Sequence, residues 1–169
     1  MVFVKITRER LVEVYNALTV ASNVNKNTRY NYSVAKNLAL VEEEAKLIEK
    51  ALRPSAEFLE WDNKRLELCK QWSDRDQHNQ PVKDNGRYVI GVHKPEFDLD
   101  IEELNAKYKK VIDAQNVKNT QDSEFLKEEV EIPGDFVPLR YEDIPEEVPA
   151  RVLKPLLGII TLPVGMTLS

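Results

Sequence analysis

The sequence predicts a mainly helical α+β fold, and three observations carry that expectation. Twelve positions (Val34, Leu38, Val41, Ala45, Ile48, Leu52, Ser55, Leu59, Asp62, Leu66, Cys69 and Ser73) lie alternately four and three apart, and nine of them are apolar. That is a heptad series, the mark of a long helix buried along one stripe. A shorter series of the same kind follows at Phe97, Ile101, Leu104, Tyr108 and Val111. Between the two stands Asn85-Gly86, flanked by Pro81-Val82-Lys83 and Arg87-Tyr88-Val89-Ile90. Asn-Gly supplies the positive φ angles of a tight primed turn, so this stretch reads as a β-hairpin.

Each element has a local reason. Residues 2–6, rich in Val and Phe, predict a short strand. Thr7 caps a first helix over about 7–22, whose apolar stripe is Leu11, Val14, Leu18 and Ala21. Asn23, Asn25 and Asn27 end it, because Asn competes for backbone hydrogen bonds. The heptad series then predicts one spine helix over about 32–73, roughly 60 Å long. Pro54 deletes a backbone bond and crowds the preceding turn, yet the apolar phase does not shift across it. A single helix bent at Pro54 is therefore expected, with two helices and Ser55 capping the second as the rival. The hairpin covers about 81–90. A third helix follows over about 98–117, with Asp100 and Glu103 spaced as a capping box, or with its start nearer Pro95.

Loop lengths suggest the layout. The first and third helices lie antiparallel along the two halves of the Pro-bent spine. The N-terminal strand joins C-terminal segments, Val130-Glu131-Ile132 and Phe136-Val137-Pro138-Leu139, in a small sheet. Residues 1–151 form a single helical α+β domain, and 152–169 form a C-terminal tail. Within that tail, 155–168 carries no charge, in a chain that is 31% charged. It is too short and too rich in Pro and Gly to span a bilayer. It is either core or interface, anchored by Leu156, Leu157, Ile159, Ile160 and Leu162.

Composition narrows the function classes. A chain of 169 residues suits one domain with an appended arm, and 42% hydrophobic content excludes wholesale disorder. The net charge of -5 argues against nucleic acid as a partner. The single cysteine, Cys69, forms no internal disulfide and points to a reducing compartment. The opening Met1-Val2-Phe3-Val4-Lys5 is not expected to act as a secretion signal. Charge is uneven: 1–30 is net +3, whereas 121–151 holds three basic and ten acidic residues. Glu142, Asp143, Glu146 and Glu147 lie at the end of that acidic stretch and are candidates for docking a basic partner.

Catalytic chemistry finds little support. His78 and His93 are the only histidines, and with Asp76 and Cys69 they show no metal-ligand spacing. Asp74-x-Asp76 begins like a calcium loop but has Asn79 and Asn85 where Gly and Glu belong. No Gly-rich phosphate loop or nucleophile elbow is present. Glu42, Glu43 and Glu44 point about 100° apart on a helix and do not converge. No cofactor, no catalytic residue and no metal site is expected, and the chain is not expected to be an enzyme. A motif-free acidic active site is the competing reading. Trp61 and Trp72 fall off the heptad stripe, so they either cover the edge of a helical interface or mark a partner site.

The chain resembles small proteins of tailed phages and prophages whose family function is not established. The likeness is carried by the opening strand, the charged helix ending at Leu68-Cys69-Lys70, the Gln80-Pro81-Val82 and Gly86-Arg87-Tyr88 turn, and Glu128-Glu129-Val130-Glu131-Ile132 leading to Ile144-Pro145. It covers most of 1–160 and contains no diagnostic motif. The helix–hairpin–helix portion also resembles, in layout alone, a prefoldin-type coiled coil. The resemblance implies no established activity and no catalytic residues. Action through protein partners is expected from the lack of converging catalytic groups, with phage structural proteins or a host protein as the partners and homo-oligomers among the options. As a virion or assembly component the protein would belong to the particle. As an early host-takeover or anti-defence inhibitor it would act in the cytoplasm of an infected bacterium.

Overall fold

A computed structural model describes residues 3–167. Val2 of the expected strand and Leu168 of the tail lie outside those residues. The fold is α+β and mainly helical, 60% by residue. In chain order the elements are β1 (Phe3–Thr7), α1 (Arg8–Ser22), α2 (Thr28–Leu52), α3 (Ala56–Gln71), β2 (Lys83–Asp84), β3 (Arg87–Tyr88), α4 (Lys94–Lys107), α5 (Lys109–Lys127), β4 (Glu129–Pro133), β5 (Leu139–Arg140), α6 (Ala150–Leu153) and β6 (Ile160–Thr161). They divide into two compact units. Unit one is Met1–Arg53 with Asp122–Ser169, and unit two is Pro54–Gln121.

Unit one holds the apolar core. The Thr7 hydroxyl accepts the Arg10 N–H at 3.2 Å and starts α1, whose Leu11, Val14, Ala17, Leu18 and Ala21 are buried. Asn27 caps α2 by accepting the Tyr30 N–H at 2.9 Å, so α2 begins four residues ahead of the expected start. From α2 the heptad positions Val34, Val41, Ala45 and Ile48 are buried in this core. The buried Tyr30 donates its hydroxyl to the Ala21 carbonyl at 2.9 Å, closing the C-terminal end of α1. β1 and β4 pair antiparallel, with Val4 opposite Ile132 and Ile6 opposite Val130.

Residues 136–139 do not join that sheet. Leu139 pairs in parallel with Ile160. Pro133 and Pro138 lack the N–H that a continued ladder requires. The loop between them is claimed by α2: the fully buried Asn37 donates Nδ2–H to the Val137 carbonyl at 2.8 Å and accepts the Val137 N–H at 2.7 Å.

The expected single spine helix is two helices. Arg53 is extended, with ψ 134°, as a residue preceding proline is driven to be. Ser55 is also extended, and its hydroxyl accepts the Phe58 N–H at 3.1 Å to start α3. Pro54 therefore breaks the helix. The third helix is also divided. It begins at Lys94 with Pro95 in the first turn, where a missing N–H costs nothing. It pauses at Tyr108 and continues as α5 to Lys127. Asp100 lies inside α4 and is not its cap.

The hairpin is present as expected, with Asn85 at φ 47° and Gly86 at φ 79° and Lys83 opposite Tyr88. Behind it, the Asp74 carboxylate accepts the N–H groups of Gly91 and Val92, each at 3.1 Å. A Cβ at Gly91 would stand 2.7 Å from that carboxylate, so a larger residue there would push the Asp74 side chain off its two bonds.

Candidate protein-contact surfaces

In unit two, α3 and α4 form an antiparallel hairpin held largely by polar contacts. The Trp61 indole N–H donates to Asn105 at 3.1 Å and the Trp72 indole N–H to Asp100 at 2.8 Å. The Tyr108 hydroxyl donates to Glu60 at 2.7 Å. Lys64 donates to Glu60 at 2.6 Å and to the Tyr108 oxygen at 2.7 Å. The Glu60 bond, then the Tyr108 bond, holds the Lys64 ammonium charged above its ordinary range. The Lys64 bond, followed by that from Tyr108, holds the Glu60 carboxyl below its own. Both tryptophans thus act as cross-helix clamps, half-buried at the edge of the seam.

Neither α3 nor α4 contains a fully buried residue. The heptad phase that is core in α2 is solvent-facing in α3, where Leu59 is 48% and Leu66 42% exposed. On α4, Leu99 is 68% exposed. A groove of about 370 Å³ runs between the two helices. Leu68 and Leu104 contribute its apolar part, Lys64 and Lys107 mark one end, Glu67 and Glu103 follow, and Gln71 and Asp100 complete it. A second groove of about 410 Å³ is lined by Trp61, Asn105 and Ile112 among others.

The acidic candidates lie in unit one. Glu142, Glu146 and Glu147 are exposed. Asp143 is not a free docking charge, since it accepts from Asn27 at 3.3 Å and faces Arg29 at 4.0 Å. Lys26 binds the carbonyls of Ile144, at 3.1 Å, and Glu142. Lys26, in the loop between α1 and α2, thus anchors the end of the acidic stretch.

The tail candidates separate. Leu156, Ile159 and Ile160 are buried in the core of unit one, and Leu162 packs half-buried against it. Only Leu157 among the five faces solvent. Beyond them the chain turns at Gly165, with φ 88° and the Met166 N–H bonded to the Pro163 carbonyl at 3.1 Å, leaving Val164 wholly exposed. The five anchors therefore do not form one surface. The sequence reading passed over Asn37, although its signal was visible: an amide among Val34, Leu38 and Val41 must find partners if that stripe is core.

Among the described residues, no group of three or more His, Cys, Asp or Glu side chains is placed to hold a metal ion. No helix among them is long and apolar enough to cross a membrane. Comparison with protein-family models, curated proteins and solved structures finds no match to this chain.

Proposed function

We propose that this protein is a phage-encoded, non-enzymatic component that acts by protein–protein contact in the virion or its assembly, with unit two as its contact element. The observation that carries the contact reading is the missing core of the α3–α4 hairpin. Its apolar residues are at best half-buried, while Leu59, Leu66 and Leu99 face water. Exposed apolar rows on a paired helix mark surfaces that associate. The phage context rests on the resemblance in the opening strand, the turn near Gly86 and the acidic run at 128–132.

The test is affinity capture of the tagged full chain from infected bacteria, together with mass spectrometry of purified particles. A fixed stoichiometry in particles and recovery of a phage structural protein are expected. Leu59→Glu with Leu66→Glu should abolish capture while leaving the helical content unchanged. Absence from particles with capture of a host protein would favour a host-directed inhibitor. Turnover of a substrate, lost in a point variant that still folds, would overturn the non-enzymatic reading.

A further inference from the structure

The charges along the α3–α4 groove are ordered, and their order is self-complementary. Lys64 of α3 and Lys107 of α4 stand at one level. Glu67 and Glu103 stand about one helical turn further along, toward the β2–β3 hairpin. Leu68 and Leu104, each next in sequence to one of these glutamates, lie at the level of the acidic pair. The groove thus carries a basic band, then an acidic band with two leucines beside it.

We propose that this groove docks a second copy of the same chain, antiparallel, to form a four-helix contact about a two-fold axis. The proposal rests on the reading of unit two as a contact element, and it places a second copy on the groove, a different face of the hairpin from that of Leu59 and Leu66. The charge bands select the arrangement. With the two-fold axis across the helices and between the bands, α3 lies over α3 of the partner. Lys64 then meets the partner's Glu67, and Lys107 meets the partner's Glu103, each contact occurring twice, as an isologous interface requires. A two-fold axis along the helices would instead lay basic on basic and acidic on acidic. Lys64 is already held in place and in its charged form by Glu60 and Tyr108, and its ammonium keeps a third N–H for the partner's Glu67.

The available area sets the strength. The 16 residues of α3 span roughly 24 Å, and two helices about 10 Å apart present a face about 20 Å wide. That buries roughly 1,000 Å² in total, at the lower limit for a specific interface. The dimer should therefore be weak, and salt should weaken it further, because its rim pairs are exposed.

The experiment is light scattering and sedimentation of the full chain across concentration and salt. The wild type should move from the chain mass of 19.5 kDa to twice that mass. Glu103→Lys avoids the Lys64 network and Lys107→Glu touches it only through the Tyr108 ring, 5.9 Å from the Lys107 ammonium, so circular dichroism checks that both variants keep their helices. Each variant alone should lose self-association at least tenfold, since two attractive pairs become repulsive. Mixed in equal amounts they should recover a heterodimer, because each now matches the other. A wild type that stays monomeric overturns the proposal but leaves the contact reading intact, provided capture still recovers a different protein. A dimer indifferent to both variants, or a mixture that stays monomeric after each variant has lost association, overturns it equally.

Discussion

Replacing Asn37 by Leu tests the core of unit one most directly. The side chains are similar in volume, so little cavity forms. What is lost is the pair of bonds between the Asn37 amide and the Val137 backbone, at 2.8 and 2.7 Å. Each bond contributes about 1 kcal/mol net, and an unpaired buried backbone group costs about 1–3 kcal/mol. Val137 is half-buried, which lowers that penalty, and the better helix propensity of Leu offsets a few tenths. The expected loss is about 2–4 kcal/mol.

Asn37→Asp sharpens the test. A carboxylate would keep one acceptor for the Val137 N–H but set a second against the Val137 carbonyl, in a fully buried site. Burial and that clash raise the Asp pKa above its unfolded value of about 3.9. The stability of the protonated form is then fully present below pH about 4 and is lost as pH rises through the folded pKa. The gap between wild type and Asn37→Asp should therefore narrow in acid, whereas the Asn37→Leu gap should not. Both tryptophans lie in unit two, so their fluorescence would miss the effect. Urea unfolding followed by amide exchange in α2 reads unit one itself. Losses below about 0.5 kcal/mol for both variants, at the level of an ordinary surface change, would refute the reasoning.

Two further perturbations follow from the same unit. Leu156→Ala, at a fully buried site, should cost about 2–5 kcal/mol, whereas Val164→Ala, at a fully exposed one, should stay within about 0.5 kcal/mol; equal effects in thermal melts would contradict the division of the tail. Burial raises the Tyr30 pKa; stability held by its neutral phenol is complete below pH about 10 and is lost as pH climbs through the folded value. Absorbance titration should show one tyrosine ionising late, and Tyr30→Phe should remove that late step at a cost of about 1 kcal/mol.

The elements legible in the sequence were those set by local chemistry. Thr7 capped the first helix, Asn85-Gly86 made the turn, and Val130-Glu131-Ile132 found β1. The helix break at Pro54 was misjudged because apolar phase is a property of residue spacing alone. Spacing records which residues share a helix face, but not what that face meets. The same three-and-four rhythm runs through Val41 and Leu66, yet the first is fully buried and the second solvent-facing. The Arg53 backbone, extended ahead of proline, and the Ser55 cap were the local signals that overrode the rhythm. Trp61 and Trp72 lay off the stripe because the face of α3 that meets α4 is not the heptad face. The pairing of Leu139 with Ile160 depended on Asn37 holding a loop 100 residues away in sequence, and no local pattern specifies that.

This change of face locates the contact candidates more sharply than the sequence did. An unbroken spine would have buried the stripe along its whole length and left the tail, the acidic run and the off-stripe side of the spine with Trp61 and Trp72 as contact surfaces. With the break, unit one closes over its own stripe and over Leu156, Ile159 and Ile160. The polar clamps of unit two hold the α3–α4 hairpin in register without closing a core around it. A hairpin fixed by Trp61, Trp72 and the Glu60–Lys64–Tyr108 cluster presents its groove and its leucines in a set geometry before any partner arrives. Little ordering entropy then remains to be lost on association. Leu59 and Leu66 had the spacing of core residues but stand outside, and under the proposed function their apolar surface is what a partner covers.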